Sequence, residues 1–411
     1  MRVLLAFDKF KDSLSAAEAC RLASETLRSA QPDWILDSAP LTDGGDGFVS
    51  ILTTAAGGSL VEIHVAGPYG EPRTAQLGLI SWGRIPAAAR ERLALASLRD
   101  SDTVAIVEMA ACSGLALVPP ERRDPWRTTS YGTGQALAAA FANGARAILL
   151  GVGGSATHDL GLGALAALGL HGREVHGTEL FPPVPAVWEH LVAFAGHVPA
   201  AFPPLRIACD VANPLLGPTG AAATFAPQKG LRPADLSRLE SATARVAALL
   251  VAHCVQPPAL ATLPGAGAAG GIAFGLMAAA RAQLVPGCAL VHDWLDLDSR
   301  IAASDLGSPA KAVSTPPRSP AKARAHSRSP PPRPANAFSF SPVHSANSPP
   351  ARCREASKST PSPRRICRSP RPCAARQNSS SPRYNSTSRS FRHHRRRILS
   401  ECARGRASTN S

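Results

Sequence analysis

After Leu306 the chain loses the composition needed to pack a core. Of the 105 residues that follow, 22 are Ser, 16 Pro and 22 Lys or Arg, against two acids, Glu355 and Glu401. So few large apolar groups cannot offset the entropy of ordering the backbone, and residues 307–411 are expected to form a disordered basic tail. The fold must be built from residues 1–306. That part carries 22 Lys+Arg against 27 Asp+Glu, a net charge of −5 beside +20 for the tail. The overall +15 describes neither part. A basic nucleic-acid-binding domain is not expected in the first three quarters, because such domains cluster positive charge on the folded part.

Arg, Asp, Gly or Pro breaks each apolar stretch well before the roughly 20 residues of a membrane-spanning helix. The start, MRVLLAFDKFKDS, holds an apolar run too short for a secretory segment and meets charges at once. A cytoplasmic location without a membrane partner is expected. Nine cysteines lie scattered with no C-x-x-C spacing, which supports neither a zinc site nor a disulfide framework.

Within residues 1–306, short apolar runs alternate with Ala/Leu-rich helical patterns, the sign of α/β layering. About 300 residues suffice for two lobes with buried cores. Strands are predicted at Arg2–Ala6, Trp34–Ala39, Leu60–Val65, Val104–Met109 and Ala147–Leu150. Ser13 or Ser15 caps a helix reaching about Ser29, and TDGGDG (42–47) opens another at Phe48. Strand, glycine loop and helix in that order imply mostly parallel strands, with loops gathered at one sheet edge where ligands bind.

Three loops combine glycines, small side chains and, in two of them, carboxylates: TDGGDG, GVGGSATHDLGLG (151–163) and GAGAAGG (265–271). Glycine lets the backbone approach a phosphate, and N–H groups at a following helix start supply positive potential. One such loop alone is as well explained as a structural turn, and none is a Walker A or protein-kinase loop. Charged residues stand beside them. Asp8, Lys9 and Lys11 follow the first strand, Asp43 and Asp46 flank Gly44 and Gly45, Asp159 ends GGSATHD, Asp210 follows RIAC, and Lys229 sits in APQKG. Carboxylates that hold Mg²⁺ or accept a hydroxyl proton, with lysines that neutralise phosphate, are what phosphoryl transfer needs. Each aspartate could equally cap a turn. His158 reads as a loop hydrogen-bonder rather than a base, and Glu108 as either a site group or a satisfied structural carboxylate.

Taken together and in order, the blocks resemble the bacterial-type glycerate kinases. They are FDKFKDSLSA (7–16), LTDGGDG (41–47), GPYGEP (67–72), EMAACSGLALVPPERRDPWRTTSYGTG (108–134), GVGGSATHDLG (151–161), CDVANPLLGPTGA (209–221), APQKG (226–230) and PGAGAAGG (264–271). The resemblance implies two α/β lobes, one a mostly parallel, doubly wound, Rossmann-like sheet, with glycerate and ATP between them. It implies ATP- and Mg²⁺-dependent phosphorylation of (R)-glycerate to 2-phosphoglycerate, the 3-phosphate being the lesser alternative. Carried over residue by residue, Lys11, Asp159 and Asp210 are the catalytic candidates. Asp8, Lys9, Asp43, Gly44, Gly45, Gly153, Gly154, Ser155 and Lys229 are the substrate and nucleotide candidates. The family commonly has Asn where His158 stands and Gly where Asp12 and Leu160 stand.

The resemblance stops at Asp305-Leu306, where the family continues with a block like DLVITGEGRLDxQTLxGKxP. An out-of-frame codon joins the last base of one codon to the first two of the next. Read that way from the Gly307/Ser308 junction, the tail permits Leu or Ile, Thr, Gly, Glu, Gly, Arg, Leu or Ile, and Asp in order. Read further, the frame matches the missing block apart from the position usually held by Gln, which it cannot supply, so the tail reads as a one- or two-base slip near codon 306, and the domain as lacking its C-terminal part. Poor solubility and little kinase activity are expected of the chain as written. The second reading, from another class, is a non-catalytic protein whose tail binds polyanions without sequence preference.

Overall fold

The computed structural model describes residues 1–10 and 13–310. Lys11 and the tail from residue 311 lie outside the described residues, and with them the disorder expected of the tail. The chain divides into two units, Met1–Val343 and His344–Ser411. All described residues belong to the first.

In chain order the strands are β1 (Arg2–Phe7), β2 (Ile35–Ser38), β3 (Ser59–Ala66), β4 (Pro72–Ser81), β5 (Thr103–Glu108) and β6 (Ala147–Gly151). They continue with β7 (His171–Arg173), β8 (Glu179–Leu180), β9 (Ala193–Ala195), β10 (Leu205–Ala208), β11 (Gln283–Val285) and β12 (Leu306–Ala310). The expected α/β architecture is present. A three-stranded parallel sheet runs β12-β1-β2, and a six-stranded sheet runs β11-β10-β6-β5-β4-β3. A small antiparallel sheet, β8-β7-β9, stands apart from both.

All five predicted strands form, and Ser15 is the cap that the helix Ala16–Ala30 uses, its hydroxyl accepting from the Glu18 N–H at 3.1 Å. The parallel arrangement holds for β11, β10, β6 and β5, whereas β4 pairs antiparallel with both β5 and β3. The GPYGEP turn makes β3 and β4 a hairpin, and a hairpin can only be antiparallel. β4 escapes the sequence reading because Gly78 interrupts its apolar pattern. A Cβ at Gly78 would come 2.0 Å from Thr53 Oγ1, so the glycine lets the helix Phe48–Ala55 lie directly on the strand.

Side-chain alternation along the central strands divides the core in two. Ala105, Val107, Ile148, Leu150, Leu205 and Ile207 point to one face, against the helices Tyr131–Ala142, Leu236–His253 and Ala268–Ala280. Val104, Ile106, Ala147 and Leu149 point to the other, where Phe48, Leu52 and Leu290 meet Leu4 and Ala6 of β1. Strands covered on both faces are apolar nearly throughout, and the buried exceptions here are Arg206, whose guanidinium donates to the Leu93 and Ala94 carbonyls, and Glu108 at the end of β5. Because the second core is shared with β1, both parallel sheets belong to one packed body.

β12 carries parallel pairing to Ala310, four residues past the boundary drawn at Leu306. A ladder needs only backbone groups, so it tolerates a sequence with no strand propensity. Pro309, which has no N–H to give, is tolerated because β12 is an edge strand. Among the described residues no helix is long and apolar enough to cross a membrane.

Candidate active site

The carboxyl ends of four parallel strands from the two sheets open into one cleft of about 590 Å³. Asp8 comes from the end of β1, Thr42 and Asp43 from the loop after β2, Gly153 to Ser155 from β6, and Cys209 to Val211 from β10. This is the edge at which open parallel sheets bind ligands, since each loop there leads from a strand toward a helix start. Val211, Phe225, Val291 and Leu297 give the cleft apolar walls, while Asp8, Asp43, Ser155, Asp210 and Lys229 give it charge and hydrogen bonds.

Two of the glycine loops form a single backbone-to-backbone seam. The Gly153 N–H donates to the Gly44 carbonyl at 3.0 Å. A Cβ at Gly153 would lie 2.7 Å from both N and Cα of Gly45, and one at Gly151 would lie 2.5 Å from the Gly44 oxygen. The third loop, GAGAAGG, seats against the same segment. A Cβ at Gly270 would be 2.0 Å from the Thr157 oxygen, and Ala269, Gly270 and Gly271 all turn through positive φ. The glycines are required here by close approach of main chains.

The structure brings Asp8, Asp43, Gly153, Gly154, Ser155, Asp210 and Lys229 to the cleft. Four of the expected site residues, Asp159, Gly44, Gly45 and Lys9, do not line it. Asp159 is fully buried and absent from the cleft wall. Its oxygens accept the Ser130 N–H at 2.7 Å, the Ser130 hydroxyl at 2.8 Å, and the N–H groups of Gly161 and Gly163. Burial pushes its carboxyl up from the ordinary range, against those hydrogen bonds. It staples the loop to the start of the helix Leu162–Ala167. Gly44 and Gly45 serve the seam beneath the cleft rather than its lining. Lys9 is tied to Asp46 at 2.7 Å and does not line the cleft either.

Asp210 reaches across to the helix Gly287–Trp294, where both of its oxygens accept the Cys288 N–H, at 3.0 and 2.8 Å. A carboxylate at a helix start is favoured by the unpaired N–H groups there. Lys229 is 1 % exposed, and its Nζ donates to Ser155 Oγ at 2.7 Å and to the Thr157 carbonyl at 2.6 Å. Burial lowers its pKa to about 7, with Asp159 pulling the other way.

Two further polar groups are settled by their surroundings. His158 is completely buried, with Nε2 3.1 Å from Thr243 Oγ1, and burial lowers its pKa to about 3. It is a neutral hydrogen-bonder. Glu108 ends β5 under the start of the helix Phe48–Ala55, accepting the Val49 N–H at 3.2 Å, and burial raises it to about 7. The sequence reading missed Thr42, Cys209, Gln228, Cys288 and His292 as cleft residues. Thr42, Cys209 and Gln228 lie inside the quoted motifs. Cys288 and His292 reach the cleft only through the packing of their helix.

Leu160 stands at φ 55°, with its side chain fully buried beside Gly271 and Gly275. A left-handed non-glycine residue costs roughly 1–2 kcal/mol, and stripping a buried leucine costs roughly 2–5 kcal/mol. Burial wins, so Leu160→Gly should destabilise by roughly 1–3 kcal/mol in urea unfolding. A gain in stability would show that strain dominates this loop.

Among the described residues no group of three His, Cys, Asp or Glu side chains is placed to hold a metal. The donors present fit Mg²⁺ that brings phosphate oxygens with it and takes only one or two carboxylates from the protein.

Comparison with known proteins agrees with this geometry. The model of the glycerate kinase family matches residues 3–307. A glycerate kinase of Bacillus subtilis is 35% identical over 308 residues, covering 74% of this chain and 75% of the relative. A glycerate 2-kinase of Escherichia coli is 36% identical over 303 residues, 73% and 74% of the two chains. A crystal structure assigned to glycerate kinase 2 of Salmonella typhimurium LT2 superposes with a TM-score of 0.60 at 36% identity, over 75% of this chain and 78% of that one. With a family match across three quarters of its length and a cleft built from the family's loops, this chain belongs to the glycerate kinase family, a family of phosphotransferases.

Proposed function

We propose that residues 1–306 form the catalytic body and transfer the γ-phosphoryl group of ATP to the 2-hydroxyl of (R)-glycerate, giving 2-phosphoglycerate and ADP. The observation that carries this reading is the convergence of Asp8, Asp43, Asp210 and Lys229 on one cleft at the carboxyl ends of parallel strands. The E. coli relative, named a glycerate 2-kinase, supports transfer to the 2-position.

In this reading Lys229 meets the transferred phosphate. A neutral amine has two N–H groups, matching its two acceptors, Ser155 Oγ and the Thr157 carbonyl. Protonation adds a third donor that no described residue accepts, and a phosphoryl oxygen would take it. Gly153 and Gly154 supply backbone at the phosphates, and Val211, Phe225 and Val291 supply apolar surface for the base. Asp210, held by the Cys288 N–H, orients the substrate hydroxyl. Asp8 and Asp43 would share Mg²⁺ with the phosphate oxygens, and the metal would offset charge on the transferring group. Lys11 remains a candidate for phosphate charge.

The test is a phosphorus NMR assay of product from ATP and (R)-glycerate, run on the chain as written and on one with the second frame restored after codon 306. A 2-phosphate signal from the restored chain, with little from the other, is the expected result. A 3-phosphate product would overturn the regiochemistry. Full activity of the chain as written would overturn the frame reading of the tail.

A further inference from the structure

A second concavity, of about 470 Å³, shares no lining residue with the cleft. Three segments enclose it: the hairpin turn bearing Tyr69, the stretch from Glu121 to Arg127, and the loop from Gly230 to Asp235. The family motif ERRDPWR (121–127) supplies most of it, and the mechanism above uses none of these side chains.

Its charges are unequally paired. Asp235 accepts from Arg232 Nε at 2.8 Å, and Asp124 lies 3.6 Å from Arg127 Nε while its other oxygen accepts the Trp126 N–H. Those two acids are therefore engaged, and the third acid of the lining, Glu121, forms no ion pair with Arg122 or Arg123. Arg122 and Arg123 have no carboxylate partner among the described residues. Arg122 lies 5.4 Å over the Tyr69 ring, and Arg123 spends only its Nε, on the Val118 carbonyl at 3.4 Å. Arg238 stacks 4.8 Å over Trp126 and adds positive potential at the edge. The walls are fixed. Tyr69 Oη donates to the Arg122 carbonyl, and Gly230 packs so closely that a Cβ there would sit 2.1 Å from the Arg123 oxygen.

Guanidinium forks that no carboxylate engages, on a rigid backbone, suit a compact anion that presents a pair of oxygens to each fork. We propose that this groove is a second anion site, separate from the cleft, that takes a small phosphoryl-bearing metabolite. Gly230, the residue that follows the Pro227–Lys229 turn, lines it.

The full chain is titrated calorimetrically with inorganic pyrophosphate, in the presence of saturating ADP and again without it. One saturable site per chain is expected in both, weakened about tenfold or more in Arg122→Ala/Arg123→Ala. Arg28→Ala/Arg281→Ala, an equal loss of charge at exposed positions, should leave that site unchanged. Arg122→Lys/Arg123→Lys keeps the charge and loses the forks, and should fall between the two. An unchanged melting temperature certifies the fold of each variant. Equal weakening by both alanine pairs would mean that net charge alone attracts the anion, and no weakening by the groove pair would put the anion elsewhere. Either result overturns the proposal. The titration without ADP keeps this outcome separate from any failure of the nucleotide reading.

Discussion

Lys229→Met should cost at least two orders of magnitude in kcat/KM while leaving the folded state as stable as before, or more so. The two effects part because the amine is buried in the absence of ligand. Burial holds its pKa near 7, well below its ordinary 10.5, so the fold bears a desolvation cost that methionine removes. The folded value lies below the unfolded one. Between about pH 7 and 10.5 the unfolded chain therefore binds more protons, and folding becomes more favourable as pH rises. That rise should shrink in the methionine variant. Ligand binding gives a second reading of the same group. A phosphate beside Lys229 restores its proton, so nucleotide binding at about pH 7.5 should take up more than about half a proton. Calorimetry in buffers of different ionisation enthalpy measures the uptake. Uptake unchanged in Lys229→Met would remove the lysine from the phosphate site.

Gly153→Ala should be nearly as damaging, by a different route. The added methyl would stand 2.7 Å from main-chain atoms of Gly45, and main chain cannot turn aside as a side chain can. The seam must open, which takes Asp43 and Ser155 out of register. A loss of roughly 2–4 kcal/mol in stability is expected, with turnover lower by about a hundredfold or more. Gly154→Ala is the control. Its Cβ would meet the Ala110 side chain at 3.6 Å and Asp46 Oδ2 at 3.9 Å, both ordinary contacts, and its φ of 71° costs roughly 1–2 kcal/mol. Equal damage from both variants would show that loop conformation matters and the seam does not.

What the sequence disclosed follows a physical division. Stretches such as residues 104–107 and 147–150 are apolar at every position because both faces are covered, and that signal survives without any partner in view. Ser15 announces its helix for the same local reason. Chemistry and chain neighbourhood coincide at Asp43 and Ser155, both of which the structure brings to the cleft. A carboxylate after GGSATH suits a ligand and a loop staple equally, and the approach of Ser130 from a distant helix engages Asp159 as a staple. Lys229 was found by its motif, but its burial, and hence its altered basicity, depends on packing with a segment more than 70 positions away. Cys288 and His292 had no signal, since nothing near them in sequence tells which way their helix turns.

The pairing of β1 with β12 also sets a timetable for synthesis. Val3 lies opposite Leu306, and Arg2 and Asp305 exchange hydrogen bonds across the same gap. The first strand to leave the ribosome must wait for the last described one. At roughly 5–20 residues per second that delay is on the order of 15 to 60 s, during which one edge of β1 lacks its neighbour. The loop carrying Asp8 thus hangs from a half-finished sheet while the six-stranded sheet can already close. The nascent chain therefore offers Val3, Leu4 and Leu5 to chaperones or to aggregation for the whole interval, and the sheet that carries Asp8 is completed only at its close.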